Sequence, residues 1–271
     1  MRRASLWIGS VLVGLLVLTA LVSLVWTPFD PTQVDPTQRM QPPGWPHLLG
    51  TDSMGIDVAS RLMAGARICL LVGVVAVTIA AVVGVPLGLL AGMVQGRWGR
   101  LLMRITDILY AFPALLLAIL LAAAVGGSTL TGMVAIGVAT IPVFVRITRA
   151  ATLQVMSQDY VLAARSCGTR WPTIAARHVW PNIAPLVGVQ ASVSFAMAIL
   201  AEAALSYLGL ATAITTPSWG RMLYEAQSKQ LFSHPEQVFW PGLAIALAVL
   251  GFNLLGDGLR ELLDPRLREV Q

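Results

Sequence analysis

The chain has 271 residues, of which 56% are hydrophobic and only 11% charged; soluble domains carry roughly 25% charged residues. This composition excludes an ordinary soluble globular domain and points to an all-α, polytopic membrane protein. A net charge of +5 would suit a nucleic-acid binder, but the arginines follow membrane topology instead, so no nucleic-acid partner is expected.

A spanning helix needs about 20 mostly apolar residues, and six runs qualify: 6–26, 68–93, 101–125, 130–145, 183–210 and 238–255. The first exceeds the roughly 7–15 residues of a signal-peptide core and has no small-x-small cleavage site directly after it. It reads as an uncleaved transmembrane helix, with a cleaved signal as the alternative. Together with the segment that follows, it forms a first unit, 1–67, ahead of a transmembrane core, 68–271. Within 27–67, Pro28, Pro31, Pro36, Pro42, Pro43 and Pro46 enforce an extended course. Thr51 or Asp52 is then expected to cap a short surface helix running through Arg61. In the second run Gly84, Gly88 and Gly92, spaced at four, permit close helix contact, either with another helix of this chain or with a partner subunit. Trp7, Trp26, Trp98 and Trp240 suit anchors at the membrane interfaces.

Orientation follows from the basic residues of the short loops. With the N-terminus inside, thirteen of the eighteen Lys and Arg fall on the inner side, giving six helices with both termini cytoplasmic. The segment after the fourth run, 155–182, is then cytoplasmic. Its core, DYVLAARSCGTRWPTIAARHVWPN from Asp159 to Asn182, reads as two short helices hinged at a glycine. Tyr160, Ala163, Ala164 and Cys167 share one face of the first. Gly168 supplies a backbone conformation closed to other residues. Pro172 suits the first turn of the second helix; Ile174, Ala175, His178 and Val179 share a face of it, and Pro181 is expected to stop it. A small-residue face on a compact cytoplasmic knob suits docking to another protein.

The chemistry-bearing patterns are few. A phosphate-binding loop needs a lysine after its glycines, and the one lysine, Lys229, lies in YEAQSKQLF on the outer side. GxSxG and HExxH patterns are absent, so the chain is not expected to be an enzyme. His47, His178 and His234 have no metal-ligand spacing, and Cys69 and Cys167 are not expected to pair. No cofactor is expected. Two carboxylates fall in apolar runs, where a functional role has to be weighed. Glu202 is expected to act structurally, bonded to loop backbone or to Arg221 or Arg67; Asp107 is expected to pair with Arg104 or Arg149. A pathway role is the alternative for both. Trp219, with Ser218 and Gly220, would line an outer vestibule or contact an outer protein, as would Asp52 and Arg61, unless Trp219 simply anchors the interface.

The 155–182 segment resembles the EAA loop of ATP-binding-cassette importer permeases: Glu-Ala-Ala, three residues, Gly, nine residues, then Ile-x-Leu-Pro. Leu162-Ala163-Ala164 stands at the triplet, Gly168 at the glycine and Pro181 at the final proline. Leu162 replaces the glutamate, and His178 and Trp180 replace the Ile and Leu. HLLGTDSMGIDVASRLMAGARICLLVG (47–73), RLLMRITDILYAFPALLLAI (100–119), EAALSYLGLATAITTPSWGRML (202–223) and FNLLGDGLRELLDPRLR (252–268) are similar to segments of the dipeptide/oligopeptide/nickel permease subgroup, with Ile56 where arginine is usual. The resemblance implies a type I importer (MetI-like) permease fold in a bacterial inner membrane. It implies a homologous second permease, two cytosolic subunits that bind ATP and Mg, and a periplasmic or lipid-anchored substrate-binding protein. Leu162, Ala163, Ala164, Gly168, His178 and Pro181 would carry the ATPase coupling, and the cargo would be peptides or chelated nickel. A self-sufficient secondary transporter or channel is the competing class, and an intramembrane enzyme a third. A secondary transporter would be expected to show internal repeats or broken helices, and the sequence offers neither.

Overall fold

A computed structural model describes residues 4–94, 96–210, 216–227 and 234–263. Lys229 and parts of the outer loop 215–237 and of the C-terminal segment 252–268 lie outside the described residues. Among those described, the chain is helical with one isolated bridge, Thr51 to Asp57. The helices are α1 (Ala4–Val25), α2 (Val58–Met93), α3 (Arg97–Ala111), α4 (Ala114–Val125), α5 (Thr129–Met156), α6 (Asp159–Ser166), α7 (Trp171–Ile174), α8 (Trp180–Tyr207), α9 (Trp219–Gln227) and α10 (Glu236–Leu263). Among the described residues five spans are long and apolar enough to cross a membrane: α1, α2, α5, the run Trp171–Tyr207 and α10; α3 and α4 make a sixth if that bent pair counts as one.

The bundle is organised around α2 and α5. The glycine ladder of α2 seats the side chains of α5: a Cβ at Gly84, Gly88 or Gly92 would lie 2.6 Å from the Cβ of Phe144, Thr148 or Thr152 respectively. Small residues therefore let two backbones of the same chain close together, which settles the partner of that stripe as internal. The pairing register rises together on both helices, so α2 and α5 run parallel. On the other side α1 packs on α10; Gly251 sits against Leu12 and Val13. α10 packs on α8, where Phe195 stacks on Phe252 at 4.0 Å between centroids and the Ser192 hydroxyl donates to the Phe252 carbonyl at 2.6 Å.

Three expectations are corrected. The helix near Arg61 is neither short nor capped by Thr51 or Asp52. Asp57 is the N-cap, its carboxylate accepting the Ser60 amide at 2.8 Å, and the helix then continues for 36 residues, about 54 Å at 1.5 Å per residue. The third apolar run is broken: α3 and α4 meet at 84° across Phe112 and Pro113. Proline has no amide to donate and pushes the preceding residue out of the helical region; Phe112 is extended at φ −81°, ψ 130°. The helix at Pro181 does not stop. One π-helical turn, Ala175–Val179, joins α7 to α8. The Trp180 amide reaches back to the Ala175 carbonyl, and this wider turn passes the proline into the first turn of α8, where its missing N–H costs little. Of the four tryptophans expected at the interfaces, Trp7, Trp26 and Trp98 are exposed, whereas Trp240 packs against the core.

The segment before α2 is tied down by local hydrogen bonds. The Thr37 hydroxyl and amide donate to Asp35, holding its carboxyl below the usual carboxylate range. The Phe29 amide donates to the Ser60 hydroxyl at 2.9 Å, so the chain leaving α1 is pinned at the start of α2.

Candidate functional site

The 155–182 segment forms a hinged helical knob. α6 ends in a Schellman turn: the Gly168 amide donates to the Arg165 carbonyl at 2.9 Å and the Thr169 amide to the Ala164 carbonyl at 3.1 Å. Gly168 adopts φ +76°, the left-handed conformation this motif requires. The knob is anchored from beneath by Val161, Ile174 and Val179, all fully buried with Met93, Met156 and Ile183. Its outer face carries exposed Tyr160, Leu162, Ala163 and Gly168, with Ala164 half-buried. A Cβ added at Gly168 would meet nothing within 4 Å, so the turn presents bare backbone to its surroundings.

His178 and Pro181 lie on the second arm, the former half-buried and the latter exposed. Three contacts that sequence spacing did not reveal join the arms. The Asn182 side-chain amide donates to the Tyr160 hydroxyl at 3.2 Å and to the His178 carbonyl at 2.7 Å, and the Tyr160 and His178 rings lie 6.0 Å apart. The Arg165 guanidinium sits 4.9 Å over the Trp171 ring. Asn182 follows Pro181 directly, so the end of the motif is fixed to its beginning. Between the knob and the ends of α2 and α5 opens a cleft of about 710 Å³, lined by Met93, Met156, Arg165 and Trp171.

At the opposite end, Asp52, Arg61 and Trp219 are all buried and turned inward. Arg61 pairs with Asp52 and with Glu225, the latter at 2.8 Å; Arg221 pairs with Glu225 at 2.9 Å. The Trp219 indole donates to the Leu62 carbonyl at 3.0 Å. His47 is buried between Asp57, at 3.0 Å, and Gln38, at 2.6 Å, with its ring 4.4 Å from that of Phe29. These residues lock α9 and the segment before α2 onto the head of α2.

The two carboxylates of the apolar runs have partners other than those expected. Glu202 is buried and accepts the Ser206 hydroxyl at 2.6 Å, with the Ser218 hydroxyl as a second partner. Arg221 is engaged by Glu225, and Arg67 donates to the Ser23 hydroxyl at 2.5 Å. The partners of Glu202 are thus hydroxyls on the same helix and on the adjoining loop. Asp107 pairs with Arg146 at 2.6 Å, not with Arg104 or Arg149, because the side chain of Arg146 crosses from α5 to α3. It also lies 3.8 Å over the Tyr110 ring. Arg149 instead donates to the Ala91 carbonyl at 3.4 Å.

Residues 84–269 match the family "Binding-protein-dependent transport system inner membrane component". The chain is 41% identical over 97% of its length to the di/tripeptide transport system permease protein DppC of Pseudomonas aeruginosa, covering 89% of that protein. It is 40% identical over 96% of its length to the glutathione transport system permease protein GsiD of Pectobacterium atrosepticum, covering 86% of that protein. Among solved structures, an inward-facing form of the MetNI methionine ABC transporter aligns at a TM-score of 0.65 and 17% identity, over 75% of this chain and 96% of that chain; that likeness concerns the fold.

Proposed function

This chain belongs to the family of binding-protein-dependent transport system inner membrane components and is a permease subunit of an ATP-binding-cassette importer; on that premise we propose that it carries peptides, glutathione-like peptides included, through a pathway shared with a homologous second permease. The named cargo of the relatives from Pseudomonas aeruginosa and Pectobacterium atrosepticum supports peptides over chelated nickel. The N- and C-termini face the cytoplasm in this reading, supported by the arginine bias of the loops. ATP and Mg are bound by two cytosolic partner subunits, and a binding protein delivers cargo on the outer side.

The observation that carries the coupling role is the α6–Gly168–α7 knob. It is rigidly seated by Val161, Ile174 and Val179, yet it shows Leu162, Ala163 and Gly168 outward. A partner groove can approach such a surface closely, because little side chain stands between the backbones. Leu162 supplies no carboxylate where the family pattern has glutamate, so shape and apolar contact carry the docking. Asn182, directly after Pro181, holds the second arm in register through Tyr160 and the His178 carbonyl. Ser218 and the buried Glu202 brace the outer end of α8, while Trp219, Asp52 and Arg61 shape the outer surface that the binding protein meets without touching cargo.

Purification and reconstitution test this reading. Two ATPase subunits and a second permease should co-purify with the chain, and proteoliposomes should take up labelled dipeptide or tripeptide only with ATP at the ATPase face and binding protein at the other. Uptake by this chain alone without ATP, or purification as a lone subunit, would overturn it.

A further inference from the structure

The side chains of α3 fall into three rows. Gly99 and Thr106 are buried against the bundle, with Leu102, Met103 and Leu109 half-buried beside them. Trp98, Leu101, Ile105 and Ile108, at i, i+3, i+7 and i+10, form an exposed apolar row, from 48% exposed at Leu101 to 73% at Trp98. Arg97, Arg100, Arg104 and Asp107 repeat that spacing one residue earlier and form an exposed charged row. Asp107 is neutralised by Arg146. Among the described residues Arg97, Arg100 and Arg104 have no ion pair, so the row carries three unopposed positive charges.

We infer that α3 does not cross the bilayer but lies along the membrane surface at the knob end of the molecule, where its arginine row binds anionic phospholipid headgroups. Two observations carry this. First, the 84° turn at Phe112–Pro113 sets α3 across the direction of α4, which packs along the spans α5 and α8. Second, an apolar row edged by tryptophan and flanked by arginines is the pattern of a helix seated at the headgroup–acyl boundary; a helix crossing hydrocarbon cannot keep three unpaired arginines on one face without a large cost. On this reading α4 alone crosses the hydrocarbon, and its twelve residues cover about 18 Å of roughly 30 Å. The leaflet therefore has to thin towards α3, and the arginines attract phosphate groups to that depth. The side is that of the knob, since α3 follows directly on the end of α2, where Met93 packs with Met156, Val161 and Ile174. Favourable attraction between each basic residue and an anionic surface makes phosphatidylglycerol-type lipids the occupant, with the apolar row dissolved in their chains.

Nitroxide labels test the geometry. The exposed Cys167 is replaced by serine and the buried Cys69 by alanine. Single cysteines are placed at Trp98, Leu101, Ile105 and Ile108 in the transporter complex, reconstituted into phosphatidylcholine mixed equally with phosphatidylglycerol. Collision with oxygen and with an aqueous nickel chelate then reports depth. The expected result is four similar depths, just below the headgroups. A steady gradient of about 15 Å from residue 98 to residue 108, as the 1.5 Å rise of a crossing helix demands, would overturn the inference. Labels immobile and inaccessible to both reagents would also overturn it, by showing a protein partner such as the second permease on that face. A second arm compares spin-labelled phosphatidylglycerol with spin-labelled phosphatidylcholine bound to the native complex and to the Arg97→Gln, Arg100→Gln, Arg104→Gln triple variant. The variant should lose the preference for phosphatidylglycerol and leave phosphatidylcholine unchanged; an unaltered preference would remove the anionic-lipid assignment. The depth measurement stands on the native arginines whether or not the triple variant assembles.

Discussion

The Trp219 indole packs against Gly65: a Cβ at residue 65 would come within 2.7 Å of the indole nitrogen, while that nitrogen donates to the Leu62 carbonyl one turn earlier. A glycine on α2 thus makes the slot into which α9 plugs its largest side chain, and the carbonyl at the rim orients it. Gly65→Val should displace the ring and cost about 1–3 kcal/mol, as overpacking of a filled core site does. Thermal unfolding of the purified complex should shift downward, and Gly65→Val combined with Trp219→Phe should recover part of the loss, because the smaller ring vacates the space. An unchanged melting temperature in Gly65→Val would contradict this packing.

Arg61 holds Asp52 and Glu225 together in a buried network, and Glu225 is 164 residues away in sequence. Removing the cation leaves two carboxylates in a poorly solvated site, a situation that generally costs about 3–5 kcal/mol. Arg61→Met should therefore lower the amount of folded protein in the membrane far more than Asp52→Asn, which retains two polar groups beside the guanidinium. Arg61→Lys should fall between them, since an ammonium cannot bridge both carboxylates with the planar fork of arginine. Quantitative immunoblotting of membrane fractions measures the order; equal amounts of all three variants would refute it.

Local signals explain which of these features could be read in advance. The hinge at Gly168 and the buried pair Ile174 and Val179 follow from helical spacing and one glycine, so the knob was legible. The break at Phe112–Pro113 also had its signal in the proline, but the apolar run around it was unbroken, and hydropathy alone does not distinguish one straight helix from two at an angle. The expected stop at Pro181 failed for the opposite reason: a π-turn can carry a helix past a proline, and nothing in the residue order announces it. Pairs such as Arg61 with Glu225, Asp107 with Arg146, or Trp219 with Gly65 join distant positions. Their residue types advertise a need for partners, and only the three-dimensional arrangement supplies them.

Glu202 accepts hydrogen bonds from the hydroxyls of Ser206 and Ser218. An acceptor is required there, whereas a charge is not. Glu202→Gln, which keeps a carbonyl oxygen to accept the Ser206 hydroxyl, should sustain near-normal uptake, whereas Glu202→Ala removes the acceptor and should cost about 1–3 kcal/mol of stability, the usual penalty for disrupting buried polar contacts. Uptake assays paired with thermal unfolding separate the two effects. Loss of uptake in Glu202→Gln at unchanged stability would instead make this carboxylate part of the transport pathway.

Gly168 stands at φ +76° with open space where a Cβ would be, so its requirement is conformational within the chain and steric only towards a docked partner. Alanine pays about 1–2 kcal/mol for the left-handed conformation, while aspartate tolerates it better than most residues. Gly168→Asp should therefore leave the protein in the membrane at normal abundance. It also projects a charged side chain from the bare turn of the docking surface, and losing about 1.4 kcal/mol of docking energy already weakens association tenfold. The expected outcome is loss of uptake and of cargo-stimulated ATP hydrolysis, with the ATPase subunits dissociating during purification. Normal uptake by Gly168→Asp would remove the knob from the coupling mechanism, whereas a variant absent from the membrane would show that the turn is needed for folding rather than for docking.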